Sequence, residues 1–383
     1  MKTFLKKLYL TKIVILLYIL ITGNYFTELD FIITSEKPKM GWLCSYTPLE
    51  LIYAAGFLPY RIDGHSNPAR VADSYIHPNF CQVVKSTIDV AIEGGYNSLE
   101  GVIFVNSCDA MRRLHDVWKR YVPTKFIHLL DIPMGQSSLG LKYIRKEFEK
   151  LKIALEKYTS HAIQDDSIEE AIDLFMESRT LFHKINFLRL KNPPQITGKE
   201  IIEISSDFFK SDPLLWNANI KTRLENEWKD TPDAIGNTKP RIILSGSPIH
   251  DAEFISFIEE CGLDVVYEDL CTGSKFFDLN INKSKDLLNA LGEAYLYRTP
   301  CARMMKIEER AKHIVEMSKK FNTKGVIHQS LKFCDVYLYD VPRLKELLVE
   351  KDLSVLFIES DGTLGSLNQM KTRIEAFSEI LRN

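Results

Sequence analysis

Seven cysteines are the residues of this 383-residue chain whose type and spacing could support chemistry. No two of them form a Cys-x-x-Cys pair, the spacing that is typical of zinc ribbons and of thioredoxin-like redox sites. A structural zinc site usually takes its four ligands from such close pairs. The wide spacing leaves two alternatives, which are ordinary buried thiols or one site assembled from distant segments. The seven positions are Cys44, Cys81, Cys108, Cys261, Cys271, Cys301 and Cys334.

Two of these cysteines lie just beyond runs that are typical of buried strands. The apolar run Gly101–Asn106 leads to Cys108, and a helical pattern begins at once. A near-copy lies far along the chain, where Gly325–Gln329 leads to Cys334. Ligands of open α/β sheets bind at the edge where such strands end. The two equivalent strand ends therefore predict one site built from two related halves.

The same order of elements occurs twice along the chain. Strands alternate with helices, which predicts mostly parallel sheets covered on both faces. We predict an α/β protein with two flavodoxin-like parallel-sheet domains, residues 39–136 and 239–383, which are related by duplication and separated by a helical segment over 137–238. A long helix is predicted over Met304–Phe321, and strands are predicted over Met40–Leu43, Leu58–Ile62, Gly101–Asn106, Lys125–Asp131, Arg241–Ser245, Asp264–Glu268, Gly325–Gln329 and Ser354–Glu359.

The middle segment has few strand signals. Lys142–Tyr158 has a charged, helical pattern. Capping boxes at Ser167-x-x-Glu170 and Thr197-x-x-Glu200 predict the starts of two further helices. The charged faces of these helices are expected to be solvated surface.

Residues 1–38 form an apolar extension ahead of the first domain. Its uninterrupted apolar stretch, Ile13–Thr22, is shorter than the ~20 residues that a membrane span needs. We expect this stretch to dock on the first domain and not to contact a membrane, with a secretory signal as the alternative. The formal net charge of −2 gives no basic excess for nucleic acid. The sequence therefore predicts a cytoplasmic globular protein that does not bind nucleic acid.

Each half supplies three thiols at predicted strand ends or helix starts. A helix start stabilises a thiolate through its free N–H groups and dipole, and thiolates are the ligands of iron–sulfur clusters. Six thiols spread over two domains suit a larger cluster in a cleft, with zinc as the alternative metal. Cys261, late in a helix, is expected to be an ordinary core thiol. The six are Cys44, Cys81 and Cys108 in the first half and Cys271, Cys301 and Cys334 in the second.

Short motifs around these cysteines occur in order along the chain. They are Gly41-Trp-Leu-Cys44-Ser-Tyr-Thr-Pro48, Cys108-Asp109, Glu268-Asp-Leu-Cys271-Thr-Gly273, Leu331-Lys-Phe-Cys334-Asp335, and Ile358-Glu-Ser-Asp361 followed by Gln369-x-x-Thr372-Arg373. Together they resemble the motifs of the 2-hydroxyacyl-CoA dehydratase D-component family, which includes benzoyl-CoA reductase subunits. The resemblance spans roughly residues 39–381.

This resemblance implies an oxygen-sensitive iron–sulfur enzyme. In the dehydratases of the family, three cysteines hold a 4Fe-4S cluster, and they match Cys81, Cys108 and Cys334. The fourth iron stays open to the substrate thioester carbonyl, where it can act as a Lewis acid and a template. An ATP-hydrolysing activator protein supplies one electron at very low potential, and the resulting ketyl radical expels a hydroxyl group.

The other three cysteines resemble a sister branch, the double-cubane cluster proteins. In that branch six cysteines hold an 8Fe-9S cluster between two α/β domains, and Cys44, Cys271 and Cys301 match the additional ligands. The resemblance implies a reductase of small substrates that takes electrons from the activator, as a homodimer or as a heterodimer with a homologous subunit. The alternatives are a 2-hydroxyacyl-CoA dehydratase or benzoyl-CoA reductase-like subunit, and a non-catalytic iron–sulfur electron carrier.

Polar residues beside the cysteines have simpler predicted roles. Glu50 is expected to stabilise the start of its helix through the helix dipole. Ser107, Asp109 and Asp335 are expected to be N-caps that could also orient the cysteines.

Four further predictions concern residues away from the cysteines. Arg373 is expected to form an ion pair with Glu359 or Asp361. The turn Ser245–Ser247 resembles a phosphate-binding turn at a helix start. Trp118 is expected to lie in the core, and structural roles are expected for His65, His77, His115, His128 and His250.

Overall fold

The structure, a computed structural model, describes residues 37–64, 67–228, 239–283, 286–363 and 367–382. The predicted apolar extension therefore lies, up to residue 36, outside the described residues, and so does His65. Within the described part, no helix is long and apolar enough to cross a membrane. Residues Pro38–Asn383 belong to one compact unit.

Among the described residues, eight parallel strands form two four-stranded sheets that share one strand order. In each sheet the first strand lies between the second and the third, and the fourth flanks the third. All predicted strands are confirmed to within two residues at each end, which confirms the two flavodoxin-like parallel sheets. The first sheet contains β1 (Lys39–Trp42), β2 (Leu58–Arg61), β3 (Leu99–Val105) and β4 (Phe126–Leu130); the second contains β5 (Arg241–Gly246), β6 (Asp264–Asp269), β7 (Gly325–Leu331) and β8 (Ser354–Ser360).

Helices cover both faces of each sheet. Side chains alternate along the strands, so that Ile103 and Val105 enter one apolar cluster while Val102 and Phe104 enter another. The second sheet repeats this, with Ile242 on one face and Ile243 on the other. The α-helices are α1 (Leu49–Ala54), α2 (Gln82–Ile92), α3 (Asp109–Tyr121), α4 (Ser138–Thr159), α5 (Asp165–Phe187), α6 (Gly198–Lys210), α7 (Pro213–Asn226), α8 (Ala252–Glu260), α9 (Ser274–Phe277), α10 (Leu287–Tyr297), α11 (Ile307–Lys320), α12 (Asp335–Val349) and α13 (Leu367–Arg382).

The middle of the chain is helical, as predicted, and α4 to α7 extend the core on one face of the first sheet. The capping box at Thr197 and Glu200 is confirmed at the start of α6. The helix start predicted at Ser167 is wrong, because α5 begins at Asp165. Asp165 and Asp166 place negative charge in the first turn, where it stabilises a helix without a side-chain cap.

Removing the confirmed cap gives a first testable effect. Thr197 Oγ1 accepts from the Glu200 N–H at 3.2 Å, and Glu200 accepts from the Thr197 N–H at 2.8 Å. We expect Thr197→Ala to lower the free energy of unfolding by about 1 kcal/mol, because a backbone donor loses its partner. Urea unfolding measures this, with Thr222→Ala on the exposed side of α7 as the control. Equal losses in both variants would contradict the capping role.

The predicted long helix over Met304–Phe321 is interrupted at its start. Ala302–Met304 forms a single 3-10 turn, Met305 adopts a left-handed backbone conformation (φ 53°), and α11 begins only at Ile307. The interruption turns the chain between Cys301 and the helix, and it leaves the Met305 side chain 74% exposed.

Glu50 lies in the first turn of α1, as the helix-dipole prediction requires, and it also forms a buried ion pair. Its carboxylate is fully buried, lies 2.6 Å from Arg179 Nη2 and accepts from the Tyr295 hydroxyl at 2.8 Å. The prediction for Glu50 is therefore incomplete, because this carboxylate joins α1 to α5 and α10. A second buried pair joins Arg189 to Glu268 at the end of β6, with one N–O distance of 3.0 Å.

His328 makes the fold sensitive to acid. Its side chain is 2% exposed, and neither ring nitrogen has a hydrogen-bond partner among the described residues. Burial, followed by the charge of Arg310, lowers the pKa of His328 to about 3. The unfolded chain keeps an imidazole pKa near 6.5. Between these two pKa values only the unfolded state binds the proton. The contribution of neutral His328 to the free energy of unfolding is therefore fully present above about pH 6.5 and is lost as the pH falls.

We expect His328→Leu to reduce this acid sensitivity. Between pH 6.5 and 5, the wild-type free energy of unfolding should fall by up to about 1.4 kcal/mol per pH unit more than that of the variant. Urea unfolding at both pH values measures the difference. Parallel losses in the two proteins would show that His328 does not contribute.

Candidate functional site

Three of the predicted cysteines are N-cap residues of helices. Cys81 precedes α2, Cys108 precedes α3 and Cys334 precedes α12. The Met111 N–H donates to Cys108 Sγ at 3.4 Å, so this sulfur satisfies a free backbone donor of its helix. The positive ends of three helix dipoles therefore lie at these thiols.

The prediction that Ser107, Asp109 and Asp335 are N-caps is wrong. The backbone stays extended through Cys108 (φ −157°, ψ 172°), so the helix begins one residue later, at Asp109. Asp335 is likewise the first residue of its helix. Asp109 instead lies 3.6 Å from Arg113 Nε on the exposed side of the first turn.

The three N-cap cysteines line one cavity of about 1100 Å³, whose lining residues come from both halves of the chain. The loops after β3 and β4 contribute Asn106 and Pro133, and α12 contributes Tyr339 and Arg343. The lining also includes exposed apolar side chains, of which Tyr339 is 88% exposed. A cavity of this size admits an organic ligand as far as the thiols.

Burial keeps these thiols protonated in the chain itself. Burial, followed by repulsion from Cys334, raises the pKa of Cys81 to about 12. Burial also raises the pKa of Cys108 and that of Cys334. Backbone N–H groups at the helix starts do favour the thiolates of Cys81 and Cys108, as expected, but desolvation is the larger effect. A metal that binds here must displace their protons.

The other three predicted cysteines form a second group outside the cavity lining. Cys44 follows β1, Cys271 follows β6, and Cys301 precedes the 3-10 turn. Cys44 and Cys301 pack against the apolar core beside the helical segment. Burial, followed by repulsion from Cys301, raises the pKa of Cys44 to about 12, and Cys271 adds to this shift.

The two groups adjoin each other. Repulsion from Cys271 contributes to the raised pKa of Cys334, although burial is the larger cause. In the part of the chain that the structure describes, no three His, Cys, Asp or Glu side chains are arranged to hold one metal ion. The six thiols are all free and lie near one another, but without the geometry of a mononuclear site.

Three buried arginines join the two halves of the molecule around the thiols. Arg61, at the end of β2, donates to the Cys271 carbonyl at 2.7 Å. Arg298 donates at 2.6 Å to the carbonyl of Ser45, which follows Cys44. Each arginine therefore holds a cysteine-bearing segment of the opposite half.

Arg303 makes the most extensive of these contacts. Its guanidinium donates to the Asn106 carbonyl at 2.9 and 3.1 Å and to the Pro133 carbonyl at 3.0 Å, and it also donates to the Ile132 carbonyl. Arg303 lies two residues after Cys301, and Asn106 two before Cys108. This side chain therefore fixes the distance between the two thiol groups.

None of these three guanidinium groups has a carboxylate within ion-pair distance among the described residues. Two other buried arginines do, since Arg179 pairs with Glu50 at 2.6 Å and Arg310 lies 3.8 Å from Asp269. Buried charges are normally paired or bound to a metal centre. Three buried cations therefore lie beside the six thiols, although carboxylates such as Asp131 and Asp335 also line the cavity.

The structure also tests the predictions for Arg373, Cys261 and Trp118. Arg373 donates to the Phe357 carbonyl at 2.8 Å, and among the described residues its predicted ion pair with Glu359 is absent. Cys261 and Trp118 are buried in apolar clusters, as predicted.

The turn at Ser245–Ser247 serves the fold and does not line the thiol cavity. Ser245 donates to Asp269 at 2.7 Å, and Ser247 Oγ accepts from the Leu331 N–H at 3.1 Å. A side chain at Gly246 (φ 126°) would collide with the Gln329 backbone, which accounts for the glycine. Burial raises the pKa of Cys334, and a hydrogen bond with the Ser247 side chain opposes this, so the turn lies beside one of the predicted ligands. Its resemblance to a phosphate-binding turn stays a prediction.

The arginines are the site residues that sequence reasoning missed. Arg298 and Arg303 flank Cys301, and Arg61 ends an apolar strand. Solvent-exposed strand ends also carry arginines. An arginine at the end of a strand or near a cysteine is therefore not enough to predict a buried site residue.

Comparison with known proteins gives consistent matches over nearly the whole chain. Residues 44–381 match the family described as 2-hydroxyglutaryl-CoA dehydratase, D-component. The chain is 25% identical over 350 residues to the (R)-phenyllactyl-CoA dehydratase beta subunit of Clostridium sporogenes, covering 91% of this chain and 92% of that protein. It is 24% identical over 355 residues to the C subunit of benzoyl-CoA reductase from Thauera aromatica, with the same coverage. It is 22% identical over 361 residues to the (R)-2-hydroxyglutaryl-CoA dehydratase beta subunit of Acidaminococcus fermentans, covering 90% and 93%.

Proposed function

Because the chain belongs to the 2-hydroxyglutaryl-CoA dehydratase D-component family, we propose that it is an iron–sulfur subunit of a reductase or dehydratase. In this proposal Cys81, Cys108 and Cys334 are the core ligands of the cluster. Cys44, Cys271 and Cys301 are the additional ligands of an 8Fe-9S double cubane. The observation that carries the proposal is the convergence of six free thiols from both halves of the fold.

The residues around the thiols fit an anionic iron–sulfur group. Thiolates are the ligands that such clusters need, and two adjoining groups of three suit a polynuclear group better than a single zinc ion. The three arginines without carboxylate partners would compensate the negative charge of sulfide and thiolate. Helix N-termini at Cys81, Cys108 and Cys334 would add to this compensation.

The cluster would supply low-potential electrons, and an open iron would supply a Lewis acid. The chain supplies positioning. Arg303 and Arg298 hold the cysteine segments together, and a substrate in the cavity would meet Cys81, Cys108 and Cys334, which line it. Because burial raises the pKa of Cys44 and Cys81 to about 12, cluster insertion should release protons.

The expected partners are an ATP-hydrolysing activator that delivers electrons and a second, homologous chain. The relatives are named as single subunits of larger enzymes, which supports a partner chain. A homodimer is the alternative assembly. The complex would work in the cytoplasm under anaerobic conditions.

Reduction of the cluster tests the proposed function. Anaerobic protein is mixed with a reduced activator, and visible and EPR spectra are recorded with and without ATP. We expect an ATP-dependent spectral change that reverses when a small reducible substrate is added. A cluster that never responds to the activator, ATP and reductant would identify a non-catalytic protein instead.

A second candidate function is that of a 2-hydroxyacyl-CoA dehydratase or benzoyl-CoA reductase-like subunit. The large cavity, with its exposed apolar lining and Arg112 and Arg343, favours it, since an acyl thioester combines an apolar body with anionic phosphates. Dehydration of a 2-hydroxyacyl-CoA by the complex of this chain with its partner and the activator would support this candidate. About four irons per chain would also favour it, against about eight for the double cubane.

A further inference from the structure

Arg61 differs from the other two arginines because its guanidinium reaches a sulfur atom. Its Nη2 lies 3.6 Å from Cys271 Sγ, while Nη1 donates to the carbonyl of the same residue at 2.7 Å. The side chain is 2% exposed, and its Nε has no hydrogen-bond partner among the described residues. The positive charge is therefore held in a dry environment directly beside one thiol of the second group.

Aromatic rings hold this guanidinium in place. It lies 4.8 Å from the ring centroid of Trp42 and 4.6 Å from that of Phe209. Cation–π contacts stabilise a buried cation without neutralising its charge. The orientation toward Cys271 is thus built into the core of the first sheet and does not depend on a flexible surface side chain.

No acidic side chain cancels the charge of Arg61 among the residues that the structure describes. Asp63, two residues along the chain, is engaged by Lys210 at 2.6 Å. His250 also lies near Arg61 and carries no charge at neutral pH, because burial lowers its pKa to about 3. The group that faces the cation is the sulfur of Cys271. Charges interact more strongly in such a buried site than in water.

We propose that Arg61 raises the reduction potential of the cluster by stabilising negative charge on the Cys271 sulfur. This inference rests on the proposed function, and it assigns Arg61 as a positioning residue that acts through a ligand. Each added electron makes an iron–sulfur cluster more negative, so a fixed positive charge at a ligand sulfur favours the reduced form. Removing that charge should make reduction harder.

An anaerobic redox titration of Arg61→Gln against the wild type, followed by EPR, tests this. At the solution potential where the wild-type cluster is half reduced, we expect the ratio of reduced to oxidised cluster in Arg61→Gln to be at least tenfold lower. A tenfold change equals about 59 mV for a one-electron step. Arg61→Lys, which keeps the charge, should stay close to the wild type.

Arg70→Gln is the matched control, because it removes the same charge from a side chain that is 72% exposed. We expect its ratio to stay within about twofold of the wild type, since solvent and salt screen an exposed charge. An Arg61→Gln protein with full iron and an unchanged potential overturns the inference and leaves the proposed function intact. A wild-type chain without iron overturns both.

If Arg61→Gln does not retain iron, Arg61→Lys tests whether the charge of the side chain or its packing is responsible. Retention of wild-type iron and potential by Arg61→Lys supports a role for the charge. Loss of iron from Arg61→Lys as complete as that from Arg61→Gln assigns the residue to packing geometry and overturns the inference.

Discussion

Alanine at Cys81, Cys108 or Cys334 is expected to reduce bound iron from about eight atoms per chain to below about one, since thiolates are the cluster ligands. These three cysteines are the N-cap residues of three helices, and each belongs to a different segment. Iron and acid-labile sulfide analysis of anaerobically purified variants measures the loss.

Alanine at Cys44, Cys271 or Cys301 is expected to have a smaller effect on the same measurement. Because the first thiol group has its own three ligands, about four irons per chain should remain. Cys261→Ala is the matched control, since this thiol lies in the core of the second sheet, and its iron content should equal that of the wild type. Full iron in Cys81→Ala, or equal loss in all seven variants, would contradict the assignment of two thiol groups.

Arg303→Met should both destabilise the chain and release iron. The substitution leaves the buried carbonyls of Asn106, Ile132 and Pro133 without their shared donor. We expect the free energy of unfolding to fall by about 3 kcal/mol, because each unsatisfied buried polar group costs about 1–3 kcal/mol and some relaxation will occur. Because Arg303 also fixes the Cys301 and Cys108 segments, bound iron should fall at least several-fold.

Arg112→Met is the control for this variant. Arg112 lines the same cavity, but its side chain is 48% exposed and makes only a 3.9 Å contact with Asp109. Its stability should stay within about 0.5 kcal/mol of the wild type. Chemical unfolding and iron analysis of the two variants distinguish the loss of buried hydrogen bonds from the general effect of removing a positive charge. Equal losses of stability and iron in Arg303→Met and Arg112→Met would contradict the role of the Arg303 hydrogen bonds.

The sheets could be predicted from the sequence because their signals are local. Buried parallel strands are short apolar runs between turn residues, and the run Gly101–Asn106 has its counterpart at Gly325–Gln329. The repeated order of elements then indicated the shared topology. The helix starts were predicted less accurately than the strands. The N-cap of α3, for example, is Cys108 and not the adjacent Ser107 or Asp109.

The electrostatic surroundings of the thiols could not be predicted in this way. Arg61 contacts a residue 210 positions away, and Arg303 contacts one 197 positions away. Such contacts depend on how the two sheets face each other, which no local pattern encodes. Likewise, the raised pKa of Cys81 results chiefly from tertiary burial, and the preference of a helix start for a thiolate could not reveal it.

The central claim is that six cysteines from both halves of the chain hold one iron–sulfur cluster. Metal and sulfide analysis of the full chain, purified without oxygen, tests it most directly. We expect about eight irons with a similar amount of acid-labile sulfide per chain, and a brown protein whose absorbance is lost in air. A colourless protein that carries one zinc ion and no sulfide would contradict the account.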